Sequence, residues 1–393
     1  MRILWHSVSP LIGSGYGTQT ALWTPALKAA GHDVAISCST GLFSSVQLWN
    51  GIKMFPHSNH IGNYGTDIVV EHAQHWGADI IWSWLDAFVL RTEEVKRANW
   101  AAWVPADSDP LMKRNVAPLK ECRWVIAPTR FGQKVIKVAG IADPLYVPCA
   151  FDPAVMYKSP IGRDILRKQF SDILKKDLTG KFLVNVVSAN SGKRKNFPVI
   201  FEAWKKFSSI HPDALLYLHT EVTGLWGDGE DLPSLMELYG IENKSAVIVN
   251  QYAYNTGQIG NDYLNLMYNV SDVHLNCCVG EGFGLPIMDA QACGCPTIVP
   301  DFAGAGEIGF GLKITKGVKR PLVPGGFQFE VDVDDVVSKL EYVYVHKDDP
   351  LYPAWRDEMV ERSADYQIEN VMKDHVIPTL AKIQEDLKCS LAS

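Results

Sequence analysis

Apolar runs of strand length recur along this chain with amphipathic stretches between them, and they do so in two series. In the first, residues 3–8, 34–37, 80–84, 100–104, 123–127 and 145–147 are short, apolar, and rich in β-branched and aromatic side chains, the pattern of strands buried on both faces. Between them, residues of about 17–30, 66–76, 92–97 and 130–138 carry the wider period of helices. Single strands separated by helices pair in parallel, each helix serving as the crossover. A charged stretch at 163–176 bridges to the second series, with strands at 182–187, 214–218, 247–249, 273–276 and 297–299 and helices at 197–207, 232–239 and 261–270. The last part, about 353–386, reads as helix. The pattern therefore predicts an α/β protein of two doubly wound halves.

Length agrees with this division, because 393 residues exceed what one hydrophobic core usually supports. Apolar residues make up 47% and charged residues 21%, and no window approaches the roughly 18 uninterrupted apolar residues of a membrane span. The opening apolar run is too short for a signal peptide and reads as a first strand, so a cytoplasmic location is expected. The eight cysteines lack the spacing and histidine partners of a zinc site, and no metal is expected; they read as small buried residues. Net charge is −7 but uneven: residues 1–180 hold 19 Lys+Arg against 15 Asp+Glu, so the later half is strongly acidic. Within 113–137 lie Lys113, Arg114, Lys120, Arg123, Arg130, Lys134 and Lys137 with one acid, Glu121, a surface that would suit an anionic acceptor or simply face solvent.

The most informative segment is 280–296, Gly-Glu-Gly-Phe-Gly-Leu-Pro-Ile-Met-Asp-Ala-Gln-Ala-Cys-Gly-Cys-Pro. Pro286 suits the first helical position and Gly294 with Pro296 suits the stop, which predicts a helix of about two turns. Its start leaves the N–H groups of Phe283, Gly284 and Leu285 without intrahelical partners, an arrangement that receives phosphate or hydroxyl oxygens. Glycines at 282 and 284 let a ligand approach the backbone. Glu281 and Asp289 can each accept two hydrogen bonds from a diol, and two diols with a diphosphate describe a nucleotide-sugar.

Two carboxylates around Gly-Phe-Gly-Leu-Pro, followed by Ala-Cys-Gly-x-Pro, resemble the motif of the retaining GT-B glycosyltransferases of family 4. The resemblance covers nearly the whole chain and is sharpest at 185–200 and 280–297. It implies two Rossmann-like domains facing a cleft: an acceptor-binding domain at 1–155, a nucleotide-sugar-binding domain at 156–365, and a C-terminal helix at 366–393 crossing back onto the first. It also implies that Glu281 contacts the donor sugar and Asp289 the ribose, although the family usually has the longer Glu at the second position. The donor would be a UDP- or GDP-sugar, with no metal or other cofactor required.

Other loops follow strands and belong beyond the carboxyl ends of the sheets, where ligands of such folds bind. After the first strand, Gly13-Ser14-Gly15-Tyr16-Gly17 lacks the spacing of a dinucleotide fingerprint, and the second strand ends without the ribose-binding acid, which argues against a nicotinamide enzyme. The resemblance lays this loop over the donor diphosphate, through Gly15, Tyr16 and Gly17. After residue 187 come Lys193, Arg194 and Lys195, three cations ahead of a helix, placed to neutralise two phosphates and the charge that develops when the sugar–phosphate bond breaks. The family's lysine matches Lys195, its arginine falls at Asn190, and Arg194 or Lys193 supplies the second charge. Asp107, after a first-domain strand, orients the acceptor, takes its proton or makes an Asx turn. Nine of twelve tryptophans precede residue 125, mostly as core, with one or two open to stacking on a ligand. The chain is thus read as a retaining, metal-independent glycosyltransferase. The alternatives are a nucleic-acid-modifying glycosyltransferase using 113–137 as a phosphate track, a GT-B sugar-nucleotide epimerase, and a non-catalytic nucleotide-sugar-binding protein.

Overall fold

The computed structural model describes residues 1–224, 228–323 and 325–392. Its contacts divide the chain into two compact units, one of Met1–Ala150 with Leu322–Phe327 and Tyr366–Ser393, the other of Phe151–Pro321 with Gln328–Asp365.

The first unit is built on eight strands: β1 (Arg2–Ser7), β2 (Asp33–Cys38), β3 (Gln47–Trp49), β4 (Ile52–Phe55), β5 (Ile80–Trp84), β6 (Trp100–Trp103), β7 (Trp124–Ala127) and β8 (Leu145–Tyr146). They lie in the order β3-β4-β2-β1-β5-β6-β7-β8, parallel except for the β3–β4 hairpin. The hairpin is absent from the sequence reading because its strands are short: β3 has three largely exposed residues, and β4 has four, of which Ile52, Met54 and Phe55 are buried. Every residue of β5 and β6 is buried, which is why these strands read as unbroken apolar runs. Trp5 stacks on Trp82 with centroids 6.3 Å apart, and the edges of Trp5 and Trp23 meet Trp103 at 6.1 and 6.4 Å. These side chains and Trp84 are core rather than a ligand platform. The basic stretch folds in part as the helix Lys113–Glu121, and three of its cations pack on rings: Arg114 over Phe88, Arg123 over Trp124 and Arg130 over Tyr146. Arg123 and Trp124 also reach the C-terminal helix, donating at 2.8 Å to the Asp386 carbonyl and carboxylate respectively.

The second unit has the strands β9 (Phe182–Val187), β10 (Ala214–His219), β11 (Ala246–Ile248), β12 (Val273–Leu275), β13 (Thr297–Pro300) and β14 (Leu312–Ile314), all parallel, in the order β11-β10-β9-β12-β13-β14. Chain order therefore reverses between β9 and β12, and a crevice for ligand opens beyond their carboxyl ends. Phe182, Val184, Val186, Phe197, Phe201, Trp204, Leu216 and Val273 form the core beneath. A small pair, β15 (Gly317–Pro321) and β16 (Phe327–Val331), follows. Among the described residues no helix is long and apolar enough to cross a membrane.

The charged bridge at 163–176 is a helix, Arg163–Leu174, which buries Leu166 and Phe170 and is anchored by its arginines. Arg163 and Arg167 donate to the two carboxylate oxygens of Asp272 at 2.7 and 2.6 Å, and the Leu183 N–H donates at 2.6 Å. Burial alone would raise the Asp272 carboxyl, but the two guanidinium charges override it and hold the group below its ordinary range. Asp272→Ala strands two partly buried cations and is expected to cost about 3–5 kcal/mol, seen as a lower urea midpoint for the second unit.

Candidate active site

The two loops that flank the reversal carry the charges. After β9 the chain turns through Gly192 at φ 55°, makes one tight turn at Lys193–Lys195, and leaves through Asn196 at φ 58° into the helix Phe197–Ile210. This compact turn points Arg194 and Lys195 toward the loop after β12 and leaves Lys193 exposed. The loops are sewn together, since the Val279 N–H donates to the Arg194 carbonyl at 3.0 Å and the Asn196 amide to the Cys277 carbonyl at 3.3 Å.

Glu281 closes the cluster. Its Oε1 accepts from Lys195 Nζ at 2.5 Å and its Oε2 from Arg194 Nη1 at 3.0 Å, while the same Arg194 nitrogen donates to the Gly280 carbonyl at 2.8 Å. The Glu281 and Lys195 side chains are each only 10% exposed. Burial by itself would push the Glu281 carboxyl up, but Lys195 and then Arg194 pull it down to about 2. One carboxylate against two cations leaves an excess positive charge beside the crevice, and Lys193 adds to it. Such a site would suit a polyanionic group.

The turn after Glu281 is shaped by close backbone packing. The Gly304 N–H donates to the Glu281 carbonyl at 2.8 Å, and a Cβ at Gly304 would lie 2.7 Å from that oxygen. Gly282 and Phe283 are buried, and Gly284 adopts φ 102° as the N-cap of the helix Leu285–Ala292. Leu285 is thus the first helical residue and Pro286 the second, one position later than the sequence predicts. Gly304 was not singled out from sequence; its signal was the small-residue run 303–306 directly after a strand.

Asp289, on this helix, is half-buried, and among the described residues no hydrogen bond or ion pair reaches its carboxylate. Burial pushes it up to about 7. Between about pH 4 and 7 the folded chain holds a proton that the unfolded chain has released, so this group lowers stability as pH rises through that window. Asp289→Asn removes the effect: the variant's thermal midpoint should exceed that of the native chain by a margin that grows from pH 4 to 7 and is flat above.

Asn190 has protein partners for its whole side chain. It is 2% exposed, its amide donates to the Glu221 and Glu230 carbonyls at 3.1 and 2.7 Å, and its oxygen accepts from the Glu230 N–H at 2.9 Å. Its side chain is spent on pinning the segment after β10 rather than on a ligand. The described ends of that segment, 219–231, are held by Asn190 and Gln251, and residues 225–227 lie outside the described residues.

In the first unit the helix Gly15–Ala29 begins two residues before the predicted start, capped by Ser14, whose hydroxyl accepts from the Gly17 N–H at 3.1 Å. A Cβ on Gly17 would lie 2.1 Å from the Ile12 carbonyl oxygen, so its own loop requires glycine here, and its N–H donates to the cap. Gly15 is exposed, and the half-buried Tyr16 ring lies 5.3 Å from Trp84. Asp107 is half-buried after β6, two residues before an antiparallel bridge between Asp109 and Phe327. The structure therefore brings Glu281, Arg194 and Lys195 together in one unit, while Gly15, Tyr16, Gly17 and Asp107 belong to the other. Of the cysteines, Cys389 is exposed and Cys122 half-buried, against the expectation that all are interior.

Residues 182–338 match the family described as Glycosyl transferases group 1. An alpha-monoglucosyldiacylglycerol synthase of Acholeplasma laidlawii is 26% identical over 181 residues, which are 46% of this chain and 42% of that protein, so the match spans less than half of the relative. Among solved structures, the sucrose-phosphate synthase of Thermosynechococcus elongatus superposes with a TM-score of 0.76 at 14% identity, over 99% of this chain and 100% of its own. An alpha,alpha-trehalose 6-phosphate synthase of Burkholderia multivorans gives 0.69 at 13% identity, over 100% and 99%. At such identities the likeness is one of fold. That fold is shared along the full length and the family match falls on the unit that holds Glu281, Lys195 and Arg194, so this chain has the GT-B architecture, and its second unit is similar to the group 1 glycosyl transferases.

Proposed function

We propose that this chain transfers a sugar from a UDP- or GDP-sugar to an acceptor hydroxyl with retention of anomeric configuration and without a metal. The observation that carries the reading is the Glu281 carboxylate clamped by Lys195 and Arg194 at the point where strand order reverses. The diphosphate binds on Lys195, Arg194 and the exposed Lys193, with the start of the helix Leu285–Ala292 contributing backbone N–H groups. Glu281 accepts from the sugar hydroxyls, and Asp289, which lacks a partner among the described residues, accepts from the ribose diol. As the bond between the anomeric carbon and the phosphate oxygen breaks, negative charge grows on the leaving diphosphate, and the fixed cations stabilise it. The acceptor oxygen bonds to the same face of the anomeric carbon, and its proton passes to the departing phosphate oxygen. No side-chain nucleophile is needed. On the first unit, Tyr16 and Asp107 are the candidates for touching the acceptor.

The phosphate-track reading is less favoured because Arg114, Arg123 and Arg130 are engaged on their own unit's rings. The test is proton NMR of the transfer product: an α-configured donor should give an α-linked product, and a β-linkage would overturn the retaining mechanism.

A further inference from the structure

Strand β10 ends at His219, and two residues on stands an acid for which the proposed transfer has no use. Glu221 is 7% exposed, and among the described residues no hydrogen bond or ion pair reaches its carboxylate. Its backbone is fixed from both sides. Asn190 donates to its carbonyl at 3.1 Å, while Gln251 donates to the Thr220 carbonyl at 3.0 Å and accepts from the Val222 N–H at 3.1 Å. Neither carboxylate oxygen is sealed from solvent, so a donor that arrives with a ligand can reach a side chain whose backbone is already fixed in place. Burial also pushes its carboxyl above the ordinary range.

The surroundings are flat and aromatic. The His219 ring lies 5.3 Å from Tyr254 and 6.0 Å from Tyr263, and burial lowers His219 to about 4, which keeps that imidazole neutral. Neutral rings of this kind can stack on a heterocycle and offer no charge to a phosphate. The position also suits a base: Asn190, which holds Glu221, belongs to the loop that carries Lys193, Arg194 and Lys195, and β10 is the neighbour of β9 on the side away from β12. A nucleotide anchored by its diphosphate on that loop can lay its base across the end of β10.

Chemistry then selects among bases. A carboxylate offers two acceptors side by side, and guanine presents two adjacent donors, N1–H and the N2 amino group, on one edge. Uracil flanks its single N–H with carbonyl oxygens, and adenine and cytosine each flank their amino group with a ring acceptor, all of which a carboxylate repels. We propose that Glu221 reads the N1–H and N2 amino edge of guanine, so that the donor is a guanosine diphosphate sugar. This rests on the reading of the same unit as a nucleotide-sugar site.

Calorimetric titration of the full chain with GDP, IDP, UDP and ADP tests it, for the native protein and Glu221→Gln. GDP should bind about 10- to 100-fold tighter than UDP or ADP, and also tighter than IDP, which lacks the amino group. Glu221→Gln should bring GDP down to the level of UDP while UDP binds at least as tightly as to the native protein, the latter showing that the variant is folded. Tighter binding of UDP or ADP than of GDP, or a variant that weakens all four alike or none, overturns the base assignment while leaving the nucleotide-sugar site in place. Failure of all four to bind overturns the site itself.

Discussion

Glu281→Ala should abolish donor turnover and weaken the second unit at the same time. The carboxylate accepts from Lys195 at 2.5 Å and Arg194 at 3.0 Å, and Lys195 has little access to water with which to replace that partner. Removing one member of a buried pair leaves an uncompensated charge, at about 3–5 kcal/mol, most of it from Lys195, because the more exposed Arg194 can turn to solvent. The stabilisation has a defined pH range: Glu281 titrates at about 2 in the folded chain, so its contribution is complete above the ordinary carboxylate range and is lost as pH falls toward 2. Turnover should drop by more than the stability loss explains, because the sugar loses its acceptor too. Glu281→Gln separates the two effects, keeping the shape and one acceptor oxygen while removing the charge. Denaturant midpoints and rates of nucleotide release, measured on both variants, check this.

Lys195→Ala should lower kcat by about 10²- to 10³-fold, the scale of one fixed group that stabilises developing negative charge. Lys195 is the better candidate for this role than Lys193, because its ammonium is fixed at the Glu281 carboxylate whereas Lys193 is exposed. A fixed charge needs no reorganisation as the leaving group departs. Lys195→Arg should recover only part of the rate, since a planar guanidinium cannot place its charge where the ammonium sits. Single-turnover rates at saturating donor distinguish this loss from weaker binding, which Lys193→Ala should show instead.

The parallel strands were legible because both faces of each sheet are covered, which makes them read as continuous apolar runs; β5 and β9 fall at their predicted bounds. The helix Arg163–Leu174 was not, because Asp272, more than 100 residues downstream, supplies the anchor for its two arginines. The acid and the cations of the site could each be named from their loops. Their pairing could not, because 86 residues separate Lys195 from Glu281 and only the sheet order sets their loops side by side. The internal partners of Asn190 were not legible for the related reason that a buried amide shows them only in three dimensions. The close approach of Gly17 to Ile12 was likewise invisible in the sequence. Asp109 and Phe327 meet in a bridge that no alternation of strands and helices announces.

The most direct measurement is release of free nucleotide from UDP-, GDP- and ADP-sugars by the native chain without acceptor, run beside Glu281→Gln and Lys195→Ala. Slow hydrolysis of one donor, reduced at least about 100-fold in Lys195→Ala and clearly lowered in Glu281→Gln, is the result predicted for a charge-stabilised leaving group. A nucleotide-sugar that binds tightly and is returned intact by all three proteins would contradict the assignment of these residues to catalysis.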